Sequence, residues 1–150
     1  VNGGRKVTPT LVKQDRVQAG PQIISERTSQ QKRLMLHQVV QEGTASFARI
    51  AGYPVGGKTG SADKPNPRGG GYKKDAVFAT FASVFPAHEP RYVLVVTLDE
   101  PTDTTGPEPR RTAGWTAVPV SAEITRRVAP LLGLRPVSLD EANATFALGQ

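Results

Sequence analysis

The stretch GYPVGGKTGSA, residues 52–62, satisfies two motifs that cannot operate together. Gly52-x4-Gly57-Lys58-Thr59 has the spacing of a phosphate-binding loop, where amides at a helix N-terminus and one lysine hold a nucleotide. Lys58-Thr59-Gly60-Ser61 also supplies, in order, the parts of an acyl-transfer wall. A cation stands beside a nucleophile, and hydroxyls grip a carboxylate. The glycine leaves room for an extended substrate along a strand edge, and the next backbone N–H faces a developing oxyanion.

Flanking sequence separates the two. A phosphate loop needs a buried strand before it and a helix after it. From Gly60 to Asp75 there are four glycines and two prolines in sixteen residues, which excludes a helix and predicts a loop. Before Gly52 only the short FARIA is apolar. RYVLVVTLDE (91–100) imitates the apolar run and acid that hold magnesium in nucleotide enzymes. It follows VFATFASVF (77–85) after only Pro86-Ala-His-Glu-Pro90, so the two predict a buried antiparallel hairpin, apolar on both faces. The nucleotide reading therefore lacks its supporting elements.

The remaining elements are as follows. Asn2-Gly3-Gly4 is a turn signal, and Pro9 confines KVTPTLV (6–12) to an edge or irregular segment. QDRVQAGP (14–21) is a connector with a turn. Thr28 with Gln31 forms a capping box for a surface helix whose apolar positions are Met35, Leu36, Val39 and Val40, stopped by Gly43. Residues 99–111 form another loop. Val120, Ile124 and Val128, then Leu131, Leu132 and Gly133, predict a helix packed on a sheet by that stripe. Residues 136–150 are expected to be a flexible tail. The fold class is α+β, with an antiparallel sheet and helices on its faces.

Composition narrows function without choosing it. The 150 residues fit one domain with a sizeable core. The absence of cysteine removes disulfides, thiol catalysis and thiolate metal sites, and two histidines far apart argue against a histidine metal site. No cofactor is implied. A net charge of +6 suits an anionic partner. PNPRGGGYKK (65–74) has the mixture of single-strand nucleic-acid binders, yet only 6% of residues are aromatic and three of five Phe lie in 77–85. A solvated loop beside a cleft is the better reading, with no nucleic acid. No apolar run is long enough to span a bilayer. The chain begins at Val1 in mid-pattern and is expected to be a piece of a longer protein.

The order of helix, GTA (43–45), GYPVGGKTGSADKP, a Tyr-Lys-Lys loop, FATFASVFP, PRYVLVVTLDEP and GWTAVPV resembles the penicillin-binding proteins over residues 1–135. It is most similar to the C-terminal part of a class B, division-specific transpeptidase domain of the penicillin-binding protein 3 type. A serine β-lactamase shares only the tripeptide. The resemblance implies that Lys58 belongs to the proton and charge network of the nucleophile. It implies that the Thr59 and Ser61 hydroxyls bind the carboxylate of a D-Ala-D-Ala stem peptide or a β-lactam, with Gly60 keeping the edge clear and Ser61 N–H as half of an oxyanion hole. The family usually has Thr at the Ser61 position, and Ser keeps both hydroxyl and amide. The rest of the same chain and cell-division proteins are the implied partners. The implied location is the periplasmic side of the bacterial inner membrane, with the anchor upstream.

The family also needs S-x-x-K and S-x-N. No S-x-N occurs in this chain. Ser29-Gln30-Gln31-Lys32 matches S-x-x-K, but Lys32 lies only 26 positions before Lys58, which leaves no space for the helical subdomain between them. Ser29 is read as a decoy on a surface helix, where Thr28 or Ser29 serves as cap. The chain then carries one wall of a site, lacks the nucleophile, and is expected to be inactive alone.

Overall fold

The computed structural model describes residues 1–16 and 20–148; part of the connector expected at 14–21 therefore lies outside the described residues. In chain order the elements are helix α1 (Glu26–Gln41), a 3-10 turn (Ser46–Ala48), strands β1 (Gly56–Pro65), β2 (Tyr72–Phe85) and β3 (Tyr92–Asp99), and helices α2 (Ala117–Leu131) and α3 (Leu139–Leu148). The strands form one antiparallel sheet in the order β1-β2-β3. The expected α+β class is the one observed.

β2 and β3 pair from Phe85↔Tyr92 to Phe78↔Asp99, the antiparallel hairpin that the two apolar runs predict. One face is core: Ala79, Phe81, Ser83 and Val96 are buried. Fully buried Phe81 contributes about 1.5–3 kcal/mol by its transfer from water. The other face departs from expectation, because Phe78, Val93 and Val95 are exposed. Alternation along each strand puts these residues opposite the covered ones, with Thr80 and Thr97 sharing a 3.0 Å hydroxyl contact among them.

The loop expected from Gly60 to Asp75 is mostly strand. β1 continues to Pro65 and pairs with β2 from Gly56↔Val84 through Ser61↔Ala79 to Asp63↔Val77, with an irregularity before Pro65↔Tyr72. Glycine and proline forbid a helix here but not an extended ladder, and the break falls where proline brings no N–H. Lys64 fastens the hairpin end, reaching Asp99 at 2.7 Å and Glu100 at 2.8 Å across the sheet.

α1 is capped by Ser25, whose hydroxyl accepts from Thr28 N at 3.1 Å; neither Thr28 nor Ser29 is the cap. Met35, expected in the core, is exposed, whereas His37 is buried. His37 Nδ1 lies 2.9 Å from the Val55 carbonyl oxygen, tying α1 to the entrance of β1. At that point a Cβ on Gly56 would stand 3.2 Å from the backbone of Leu36 and His37, so helix and strand touch.

α2 covers the core face of the sheet, and Ser121 Oγ is 3.5 Å from Ser83 Oγ. It buries a stripe of small residues, Val118, Ser121, Ala122, Thr125 and Ala129, while Val120 and Ile124 point outward. The helix is as predicted, but of its expected apolar stripe Val128 packs against the core while Val120, Ile124, Leu131 and Leu132 are exposed. Small side chains let it approach the strands closely.

Residues 136–150, expected to be a tail, instead carry α3. Ser138 and Glu141 cap it reciprocally: Glu141 N donates to Ser138 Oγ at 3.1 Å and Ser138 N to the Glu141 carboxylate at 2.7 Å. Phe146 is buried and stacks on His37 with ring centroids 5.3 Å apart. That apolar anchor is what holds the helix down.

Candidate active site

Lys58, Thr59, Gly60 and Ser61 all lie on β1, which pairs with β2 on one side and has an open edge on the other among the described residues. Alternation divides them. Thr59 and Ser61 stand opposite Phe81 and Ala79 and turn toward the covered face. Lys58 turns to the open face, exposed, with Nζ donating to the Thr59 carbonyl at 2.8 Å. Gly60 has open space at its Cβ position, the nearest atom being the Thr80 carbonyl oxygen at 4.0 Å. Nothing within this chain requires a glycine there.

Behind the hydroxyls stands a wall built from two distant segments. Thr44 Oγ1 is 2.9 Å from Thr59 Oγ1, and Ala113 N donates to Ser61 Oγ at 3.0 Å. A backbone amide can only donate, so Ser61 keeps its own proton for an external acceptor. An anion at this edge, accepting only, would also take the Thr59 proton and leave Thr44 as donor to Thr59. The arrangement is thus able to present two outward O–H donors to one carboxylate, the charge-assisted geometry that makes strong hydrogen bonds.

The wall is tightly fitted. A Cβ on Gly114 would come within 2.8 Å of the Thr44 carbonyl oxygen, so only glycine lets residues 112–115 approach residue 44 this closely. Trp115 packs on Phe47 with centroids 5.3 Å apart, and the Arg110 guanidinium lies 3.7 Å over the indole. Arg110 is held by Asp103 at 2.6 Å. The Thr105 hydroxyl and amide, then Arg110, keep the Asp103 carboxyl below the usual carboxylate range. Between wall and strand lies a half-open cavity of about 470 Å3, lined by Thr44, Phe47, Thr59, Ser61, Thr112 and Trp115 among others.

Thr44, Phe47, Ala113 and Trp115 carry no role in the sequence analysis. The only signal there covers Thr44 and Trp115, through GTA and GWTAVPV, two of the segments carrying the family resemblance.

Other candidates lie elsewhere. Ser29 is wholly buried in α1, where its hydroxyl accepts from Gly3 N at 3.2 Å, while Lys32 is exposed. Asp99 and Glu100, the magnesium-like acids, are occupied by Lys64, and Glu100 also by Lys73 at 3.6 Å. Lys64 first, and Lys73 with it, hold the Glu100 carboxyl below its ordinary range. The residues after Thr59 continue as strand, so no helix N-terminus faces Lys58. Among the described residues no cluster of His, Asp and Glu suits a metal, and no helix is long and apolar enough to cross a membrane.

Comparison with known proteins gives the family. Residues 1–126 match the family model described as the penicillin-binding protein transpeptidase domain. The chain is 36% identical over 148 residues to stage V sporulation protein D of Bacillus subtilis (strain 168), covering 91% of this chain and 22% of that protein. It is 33% identical over 123 residues to the probable peptidoglycan D,D-transpeptidase FtsI of Caulobacter vibrioides, covering 77% of this chain and 21% of that protein. Among solved structures, penicillin-binding protein 3 of Mycobacterium tuberculosis complexed with ampicillin superposes with a TM-score of 0.73 at 29% identity, covering 92% of this chain and 33% of that one. The apo transpeptidase domain of Burkholderia pseudomallei penicillin-binding protein 3 gives 0.73 at 34% identity, with 89% and 39% covered. The chain thus spans about a fifth of the length of these curated relatives. Motif order, sheet and helices, and these matches agree: the chain belongs to the penicillin-binding protein transpeptidase family, as a segment of a class B transpeptidase domain.

Proposed function

We propose that this chain forms the Lys-Thr-Gly wall of a septal peptidoglycan D,D-transpeptidase whose nucleophilic serine lies elsewhere in the same protein. In the reaction, that serine loses its proton and attacks the carbonyl between the two terminal D-alanines of a stem peptide. The C–N bond breaks, the last D-alanine leaves as an amine, and an amine of a second stem displaces the serine to form the cross-link. Thr59 and Ser61 hold the terminal carboxylate by their outward hydroxyl protons, Ser61 N–H is one oxyanion donor, and Lys58 supplies positive charge near the nucleophile. β-Lactams carry the same carboxylate and acylate the same serine. The enzyme acts on the periplasmic side of the inner membrane, beside cell-division proteins. Gly60 carries the reading. A Cβ there would meet nothing closer than 4.0 Å, on the face that Lys58 shares, so the missing side chain clears space only toward the outside of the strand.

The test is labelling with a fluorescent penicillin. The complete protein is expected to label stoichiometrically, and Ser29→Ala to label equally well. A Thr59→Val/Ser61→Ala double variant should lose at least about tenfold in labelling rate, since a hydrogen bond to a charged group is worth about 1.5–3 kcal/mol. The 150-residue chain alone should not label. Labelling of Ser29 in this chain, or an unimpaired double variant, refutes the proposal.

A further inference from the structure

We infer that α3 is a clasp that positions the strand bearing Lys58, Thr59, Gly60 and Ser61, with Phe146 as a positioning residue for the site. This rests on the proposed transpeptidase reading and adds to it a device remote from the reacting atoms.

The segment that feeds β1 is held by its carbonyl groups. Gly52 O accepts from Val137 N at 2.9 Å, and Pro54 O accepts from Ala87 N at 2.7 Å. Val55 O lies 2.9 Å from His37 Nδ1. A carbonyl can only accept, so the His37 proton facing it is on Nδ1. Three donors from three separate parts of the chain thus grip residues 52–55. Lys58 is the third residue after Val55.

All three donors belong to the seat of α3. Phe146 stacks on His37 with centroids 5.3 Å apart and meets His88 edge-on at 6.5 Å, and His88 directly follows Ala87. Val137 directly precedes the capping Ser138. Its neighbour Pro136 packs so close to Gly52 that a Cβ there would stand 2.8 Å from the proline Cβ. This chain buries these contacts by itself: His37 and Ala87 have no exposed surface, Val55 has 2% and Phe146 8%. Residues of the protein outside the chain therefore do not reach them.

The ladder with β2 fixes the register of β1 from Gly56 onward. Residues 52–55 precede that ladder and depend on the seat. Undocking α3 releases the His37 ring and the 86–90 turn together, and with them the entrance of β1. A shift of about 1 Å at a distance from the chemistry is able to cost about a hundredfold in rate. α3 also lies beyond residues 1–126, the part that matches the family model, so that model does not describe the clasp.

The experiment compares Phe146→Ala and Phe146→Leu in the complete protein, well below the thermal midpoint of each. Hydrogen exchange reads the clasp, and the second-order rate of acylation by a fluorescent penicillin reads the site. Phe146→Ala is expected to lose protection over 139–148 and at the Ala87 and Val137 amides, and to acylate about tenfold more slowly. Leucine refills the seat, so Phe146→Leu should stay within about twofold of the wild type. Ala122→Gly, a buried helix position in α2, lowers the thermal midpoint but should leave acylation unchanged. Glu141→Ala removes the reciprocal cap without opening the core, and covers the case in which Phe146→Ala fails to fold. It should slow acylation about threefold. Full-rate acylation by a variant with unprotected α3 and Ala87 amides overturns the inference and leaves the transpeptidase reading intact, as does equal slowing by Ala122→Gly. Failure of the wild type to label overturns the transpeptidase reading itself.

Discussion

Gly57 and Gly60 occupy one strand three residues apart, yet the structure assigns their lack of a side chain to different causes. A Cβ on Gly57 would sit 2.5 Å and 2.6 Å from two Phe81 ring carbons and 2.7 Å from the Ala82 carbonyl oxygen. Phe81 is fully buried, and the carbonyl belongs to the β1–β2 ladder. Gly57→Ala therefore overpacks the core and should cost about 1–3 kcal/mol. For a domain of this size that lowers the thermal midpoint by about 2–4 °C per kcal/mol. Gly60 meets nothing closer than 4.0 Å and has no left-handed backbone. Gly60→Ala should leave stability unchanged or raise it by up to about 1 kcal/mol, because alanine restricts the unfolded chain. Its new methyl would stand in the substrate path, and a loss of about 1.4 kcal/mol there slows penicillin acylation about tenfold. Thermal melts and fluorescent-penicillin labelling of the two variants in the complete protein decide the matter. Equal destabilisation by both, or full labelling of Gly60→Ala, refutes the assignment of Gly57 to the fold and Gly60 to the ligand.

Two further outcomes follow from the α3 contact. Phe146→Ala removes the ring stacked on His37. A core Phe→Ala change costs about 3–5 kcal/mol, but here detachment of α3 caps the loss. Hydrogen exchange should accelerate across 139–148 while β2 and β3 stay protected, and uniform acceleration would contradict a separately docked helix. His88 lies edge-on to Phe146. Burial first holds it below its ordinary value of 6.5, with His37 and Arg33 adding to this and Glu89 and Glu141 opposing. The unfolded chain then takes up a proton near pH 6.5 that the fold resists. Stability is full above that pH and declines as pH falls below it, until the folded state protonates too. Thermal midpoints measured at intervals downward from about pH 7.5 should show the decline, with a shallower slope in His88→Gln; identical slopes would exclude His88 as a source.

Much of this molecule is legible residue by residue because the relevant physics is local. Two β-branched and aromatic runs joined by a short proline-flanked turn can only pair antiparallel, and that hairpin is present. A glycine- and proline-rich stretch cannot be a helix, and β1 is none. That constraint says nothing about extended pairing, so the sequence predicts a loop where the ladder continues to Pro65. Periodicity identifies α2 as a helix but not its buried side, because the more apolar stripe is not the one that fits the strands, and close approach favours the small residues Ser121, Ala122, Thr125 and Ala129. The Ser138-x-x-Glu141 signature of α3 is in the sequence as a capping box, but its significance depends on Phe146 finding His37 more than a hundred residues away.

The same division runs through the site. Lys-Thr-Gly-Ser alone determines the available chemistry: a cation, two hydroxyls and an unobstructed edge. Which proton each hydroxyl has free was decided only by tertiary structure, since Thr44 reaches Thr59 across 15 residues and Ala113 reaches Ser61 across 52. Hydrogen bonds between remote segments leave no periodicity or spacing in the chain. They form because α2 packs on the sheet and the 3-10 turn packs on α2, which brings the two segments together behind β1.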